Sequence, residues 1–232
     1  MRFRPLFFLV FLLTLALVTT GAALANDATG TVTVIHGVPG LTVDVYVNGQ
    51  LTLPGFEPGT VTDPLQLPVG DYEIIIVPAG GDPSNPAISG SATVTAGLNA
   101  SVVAHLTEAG APTLSVFVND VSAIMDDTAR LVVRHTAAAP AVDVALFDDD
   151  DADADDLVEV IEDLANPNEA QVEVPEDDYA VTISPAGSDV PVFGPVEVEL
   201  EDEVSHIFYA VGSLADGSFE LLKQEIDLED TD

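Results

Sequence analysis

The sequence predicts an all-β protein, two tandem immunoglobulin-like antiparallel β-sandwich domains behind a cleaved signal peptide. Three observations point there. Short segments alternate apolar and polar residues with period two, and no helical periodicity runs longer than a turn. Proline or glycine separates these segments at regular spacing. Finally, His36-Gly-Val-Pro-Gly-Leu-Thr-Val-Asp44-Val-Tyr-Val-Asn-Gly49 returns 99 residues later as His135-Thr-Ala-Ala-Ala-Pro-Ala-Val-Asp143-Val-Ala-Leu-Phe147, so the chain reads as a tandem duplication. At about one hundred residues, each copy has the size of one sandwich that can bury its own core.

The chain opens with Arg2 and Arg4, an apolar run from Leu6 to Val18, Thr19-Thr20-Gly21 and the small-residue site Ala23-Leu24-Ala25. This is the three-part pattern of a secretory leader, which assigns residues 1–25 to a signal peptide cut after Ala25. An uncleaved anchor is the alternative, because Leu6 to Ala25 is nearly long enough to span a bilayer; the Ala-x-Ala site and the Thr-Thr-Gly break favour cleavage. No second apolar run of that length follows, so no membrane span is expected once the leader is gone.

Residues 28–125 form the first expected sandwich. Val32, Val34 and His36 share one parity, placing His36 at the end of a strand's inward face. Val43, Val45 and Val47 alternate with Asp44 and Tyr46, and Asn48-Gly49 is the dipeptide most suited to a two-residue hairpin. From Leu51 to Gly80 the copies align at an offset of 107, pairing Leu65, Leu67 and Pro68 with Val172, Val174 and Pro175, and Tyr72 with Tyr179. Further on the offset becomes 105, setting Val102-Val103-Ala104-His105 against Ile207-Phe208-Tyr209-Ala210. Each copy then holds about seven short strands, and the short boundary near Val121 to Asp127 suggests domains that touch.

Residues 128–232 form the second expected sandwich. Its growth in length falls at one spot, Asp148 to Asp156, where seven of nine residues are Asp. Such a composition neither pairs in a sheet nor packs in a core, so it reads as a solvated extension of the hairpin tip. A second reading stays open. Asp151, Asp153, Asp155, Leu157, Glu159 and Glu162 fall at positions 1, 3, 5, 7, 9 and 12 of a calcium loop, but Asp156 stands where that loop needs Gly and the flanks read as strands. An EF-hand is therefore not expected. An improvised calcium site on Asp151, Asp153, Asp155 and Glu162 is the less favoured alternative to the solvated tract, and no other cofactor is expected.

Forty acidic residues against Arg130, Arg134 and Lys223 leave the chain beyond its leader with a net charge of −37. That excludes ordinary nucleic-acid binding, which releases counterions from phosphates and needs cations to do so. The charged fraction, 19%, is below the usual quarter, so the anomaly is missing Lys and Arg rather than surplus charge. With no cysteine there is no disulfide, thiol chemistry or lipidated N-terminal Cys, and the core alone must hold the fold.

The paired His-small-Pro-Val-Asp-Val stretches, with their later Pro-x-Gly-x-Tyr turn and Pro-Ala-Gly, resemble the secreted bacterial domain-of-unknown-function family 4397. His36, Pro39, Asp44, Tyr46, Gly49, Pro68, Gly70, Tyr72 and Pro78 to Gly80 carry the resemblance in the first copy. In the second it rests on His135, Asp143, Pro175, Tyr179 and Pro185 to Gly187, with Pro140 slightly displaced, Ala145 in place of Tyr46 and Asp177 in place of Gly70. The resemblance implies a secreted or surface-attached bacterial β-sandwich and no known activity.

No catalytic constellation emerges from the residues. Ser89-Gly90-Ser91 lacks the Gly-x-Ser-x-Gly elbow of a hydrolase nucleophile. The histidines at 36, 105, 135 and 206 are spread over both copies without a His-Glu-x-x-His run. His36 with Asp44, and His135 with Asp143, read as structural hydrogen bonds that lock the link between strands. The expected function is a non-catalytic extracellular module for binding, adhesion or envelope structure, with a ligand outside the cell or in its envelope. An extracellular carbohydrate-active or other hydrolytic enzyme is the alternative.

Overall fold

The computed structural model describes residues 28–148 and 156–228. The leader expected over residues 1–25 lies outside these residues. So do residues 149–155, and with them Asp151, Asp153 and Asp155.

Among the described residues the chain forms sixteen strands and no α-helix. The first eight are β1 (Thr29–His36), β2 (Val43–Val47), β3 (Gln50–Phe56), β4 (Leu65–Pro68), β5 (Gly70–Pro78), β6 (Ile88–Val94), β7 (Asn99–Leu106) and β8 (Pro112–Val118). The second eight are β9 (Thr128–His135), β10 (Val142–Phe147), β11 (Leu157–Leu164), β12 (Glu169–Pro175), β13 (Asp177–Pro185), β14 (Phe193–Leu200), β15 (Val204–Val211) and β16 (Glu220–Asp227). They make four four-stranded sheets. In the first half the orders are β4-β1-β7-β8 and β3-β2-β5-β6; in the second they are β12-β9-β15-β16 and β11-β10-β13-β14. The same order thus recurs with every strand eight places on, and Val45 opposite Ile76 corresponds to Val144 opposite Ile183.

The expected β-sandwich architecture is present, with two differences of detail. Each half holds eight strands rather than seven. Each also contains one parallel pair, β1 with β7 and β9 with β15, among otherwise antiparallel neighbours. A parallel partner requires a long crossover, and here β2, β3, β5 and β6 supply it by building the opposite sheet, while β4 returns to pair with β1.

The ladders also correct the alignment of the halves. Val34 pairs with Val102 and Val133 with Phe208, so the last strands correspond at an offset of 106, not 105. One residue matters, because a slip of one in a strand moves every side chain to the other face. At 106, Val102 and Phe208 both point into their own sandwich, whereas Ile207 points out of it. In β3 and β11 the offset is 108 rather than 107, since Val45 faces Leu53 and Val144 faces Ile161.

Each sandwich closes over its own core. Val32, Val45, Ile76 and Val102 anchor the first; Leu131, Val144, Ile183 and Phe208 anchor the second. A third cluster, with Ile35, Val103 and Phe117 from one half and Val132, Ile207, Tyr209 and Val211 from the other, joins the two. The stack therefore has four layers, and β1, β7, β9 and β15 are buried on both faces. Gly37 fits this junction closely: a Cβ there would meet Val211 Cγ1 at 2.6 Å, so no larger residue is accommodated without shifting the second sandwich.

Gly55 in β3 and Asp163 in β11 occupy the same bulged position with left-handed backbone, at φ 60° and 55°. Glycine adopts that region freely and aspartate at a cost. Asp163→Gly is accordingly expected to stabilise the protein by on the order of 0.5–1 kcal/mol, offset in part by the extra freedom glycine gives the unfolded chain. Denaturant melts check this: an unchanged or lowered midpoint rejects it.

Candidate functional site

The residues that the sequence singles out come together at the link between β1 and β2, and again between β9 and β10. His36, at the buried end of β1, donates from Nε2 to the Leu41 carbonyl at 2.9 Å and lies against the Phe56 ring with centroids 5.6 Å apart. His135 makes the matching bond to the Pro140 carbonyl at 2.9 Å. Each imidazole thereby closes its link onto the end of its own strand.

Asp44 and Asp143 serve a different pair of partners. Asp44 accepts from the Gly55 and Gly80 amides, both at 2.8 Å. Asp143 accepts from the Asp163 and Gly187 amides, again at 2.8 Å. The direct His–Asp hydrogen bond expected from sequence is therefore replaced by two separate clamps. The imidazole pins the link, while the carboxylate ties the bulge of β3 or β11 to the Pro-Ala-Gly turn. Those backbone donors hold the Asp44 carboxyl below the ordinary aspartate range, the Gly80 amide most of all.

Tyr72 and Tyr179 repeat the pattern, donating to the Pro68 carbonyl at 2.7 Å and the Pro175 carbonyl at 2.9 Å. As expected, they stand at the openings of equivalent strands, β5 and β13. Tyr179 is buried and Tyr72 half-buried.

The other two histidines are buried as well. His105 donates from Nδ1 to the Leu106 carbonyl and accepts at Nε2 from Ser115. His206 accepts at Nε2 from the Glu201 amide, with Nδ1 3.5 Å from Glu225. Desolvation is the largest influence on all four rings and holds each pKa below the ordinary histidine range. The unfolded chain takes up protons near pH 6.5 that the fold still refuses, so stability is full above that pH and falls as pH drops below it. Urea midpoints should decline between about pH 6.5 and 5. A flat midpoint over that window rules the effect out.

Sequence reading missed the polar centre of the junction. Arg134 is 1% exposed and donates to Glu169 Oε2, the Tyr209 hydroxyl and Asn119 Oδ1, each at 2.8 Å. Its guanidinium lies over the Phe117 ring, 4.7 Å from the centroid. Tyr209 in turn donates from its hydroxyl to Gln224 Oε1 at 2.6 Å, and the Gln224 amide donates to the Thr33 hydroxyl of the first half. Ser101 stands 2.9 Å from Gln224 Oε1 and 3.2 Å from Asn119 Oδ1, so its one hydrogen serves either. Arg130 pins the 119–127 segment through the Asp120 and Ser122 carbonyls. A signal was available: Arg130 and Arg134 share parity with Val132, which faces away from Leu131 and Val133.

The remaining candidates are dispersed. Ser89 and Ser91 lie within β6, on regular ladder positions opposite Ile75 and Glu73 rather than on a strained turn. Glu162 is exposed on β11, and its proposed calcium partners Asp151, Asp153 and Asp155 are outside the described residues. The tract's flanks do pair as a hairpin, with Phe147 opposite Leu157 and the Asp148 amide bonded to the Asp156 carbonyl at 2.9 Å. Among the described residues, no group of three or more His, Asp or Glu is placed to hold a metal ion. An open cleft of about 440 Å³ gathers Glu176, Asp177, Asp178, Glu199, Glu201 and Asp202. All six are solvent-exposed, without the burial that a carboxyl general acid draws on. No helix among the described residues is long and apolar enough to cross a membrane.

The model of the family described as Domain of unknown function (DUF4397) matches residues 30–145, which run through β1–β9 and most of β10. No curated protein sequence matches the chain. A solved structure, the Bacillus anthracis TIE protein, is 13% identical at a TM-score of 0.27, over 79% of this chain and 33% of that one. The chain thus spans about a third of that protein's length.

Proposed function

The chain belongs to the DUF4397 family, and from that premise we propose that it is a non-catalytic β-sandwich module acting outside the cell in binding, adhesion or envelope structure. One observation carries the reading. All four imidazoles, the groups best suited to acid–base work at neutral pH, are buried and spent on holding backbone in place. The conspicuous aspartates are spent likewise on bulge and turn amides. What the protein offers outward is a sheet framework with a strongly acidic surface, suited to a neutral or cationic partner, or to an anionic one bridged by divalent cations.

The purified protein, incubated with intact cells and envelope material of its own source and with a panel of glycans, is expected to be retained without turning over any of them. Turnover of a glycan replaces this reading with the extracellular hydrolase. Absence of both retention and turnover removes binding and adhesion.

A further inference from the structure

The second sandwich is filled where the first is not. Between the sheets of the first lies a cavity of about 290 Å³, walled by valine, leucine and isoleucine side chains of both sheets. The corresponding space in the second, bounded by Leu131, Val144, Ile183 and Phe208 among others, measures about 20 Å³. The ladder register accounts for much of the difference. Phe208 stands where the first half has Val102, Leu131 where it has Val32, and Val198 where it has Ala92. Changes in the other direction, such as Val172 for Leu65, remove single methylenes. The same fold can therefore fill this space with side chains, and the first half does not, although interiors ordinarily pack without voids of that size.

The cavity reaches the surface at the edge strands β3 and β4, where the exposed side chains of Asn48, Gln50 and Thr52 form its rim. On the opposite edge β6 packs against β8, and Gly90 lets Leu114 approach so closely that a Cβ would meet it at 2.8 Å. The sandwich is thus shut on one side and open on the other. Its volume is roughly twice that of an apolar cavity known to take up benzene, which fits a bicyclic molecule or a medium alkyl chain. The Asn48 oxygen accepts from the Glu73 amide and the Thr52 hydroxyl donates to the Gln50 carbonyl, so the rim offers the Gln50 amide, the Asn48 NH2 and the Thr52 oxygen as acceptor, but no cation, in a chain with forty acidic residues. An anionic head is repelled there and an uncharged polar one can be hydrogen-bonded.

We propose that the first sandwich binds a small neutral apolar molecule, an alkyl or bicyclic group with an uncharged polar head, between its sheets through the β3–β4 edge. This gives a ligand class to one half of the binding module proposed above, yet it rests on packing alone. Envelope retention and small-molecule uptake are separate readouts, and either can fail without the other.

The probe is the neutral dye N-phenyl-1-naphthylamine, whose fluorescence rises in an apolar site, titrated into the purified chain and displaced by 1-decanol or by decanoate at pH 8. Saturable binding is expected, with decanol displacing the dye at least about tenfold better than decanoate. Val102→Phe copies the filling residue of the second sandwich and should weaken dye binding by about tenfold or more while leaving the melting temperature unchanged or raised. Should that variant fail to fold, Ala92→Val fills the same space from β6 and is expected to act in the same direction. No saturable signal from the unaltered chain, or equal binding by a folded filled variant, overturns the proposal. Equal displacement by decanoate overturns the neutral-head part of it.

Discussion

Arg134→Ala is expected to lower the unfolding free energy by about 3–5 kcal/mol, from the loss of a large buried side chain and of the donor to two buried polar groups. The ion pair itself contributes little of this, because the Glu169 side chain is 40% exposed and returns to water. The cost comes from the junction. The change removes a side chain packed against Phe117 and Tyr209, and it takes a donor from Asn119 Oδ1 and from the Tyr209 hydroxyl in a site closed to solvent. Asn119 lies at the start of the link between halves, so the two sandwiches should also lose their coupling. The unaltered protein is expected to melt in one transition and the variant in two. A loss below about 1 kcal/mol with a single transition would mean that the apolar contacts of Ile35, Val103, Ile207 and Val211 hold the junction by themselves.

Tyr179→Ala should cost about 3–5 kcal/mol, as expected for deleting a packed aromatic ring. Tyr179 is 3% exposed and belongs to the second core together with Leu200 and Val198. Tyr72→Ala, at the same place in the first sandwich, should cost less than half as much, since its ring is half-buried beside the open cavity. Phe at either position separates ring from hydroxyl and should cost about 1 kcal/mol for the lost bond to the proline carbonyl. Equal losses for the two alanine variants in denaturant melts would show that the halves are packed alike after all.

Local chemistry was the most legible part of the sequence. Asn48-Gly49 forms the tight turn it promises, with both residues at positive φ, and the Val-Asp-Val strands occupy equivalent central positions. The buried histidines and the paired aspartates were visible as a repeated pattern, but their partners are backbone groups, a carbonyl of the adjoining link for His36 and His135 and amides of a bulge and a distant turn for Asp44 and Asp143. A backbone amide carries no side-chain identity, so spacing suggested the nearer and wrong pairing of His with Asp. The parallel β1–β7 and β9–β15 pairs were illegible for a related reason: period two fixes faces, not strand direction. The burial of β9 and β15 on both sides did leave a trace in Leu131-Val132-Val133 and Ile207-Phe208-Tyr209, which are continuous rather than alternating. Linker length alone points to touching domains, and these continuous apolar runs point the same way.

The scarcity of cations has a consequence for digestion. After residue 25, a protease that cuts after lysine or arginine has three bonds to choose from, and those after Arg130 and Arg134 lie in a strand enclosed between the sandwiches. The third follows Lys223, held in the ladder of β16 opposite Phe208. Trypsin therefore has almost no purchase on the native molecule despite its many turns, while an enzyme that cuts at acidic residues meets exposed targets in the 57–64, 107–111, 119–127, 201–203 and 212–219 connections, among others. Under dilute trypsin the cleavage rate at Arg130 and Arg134 becomes a clock for how often the two halves part.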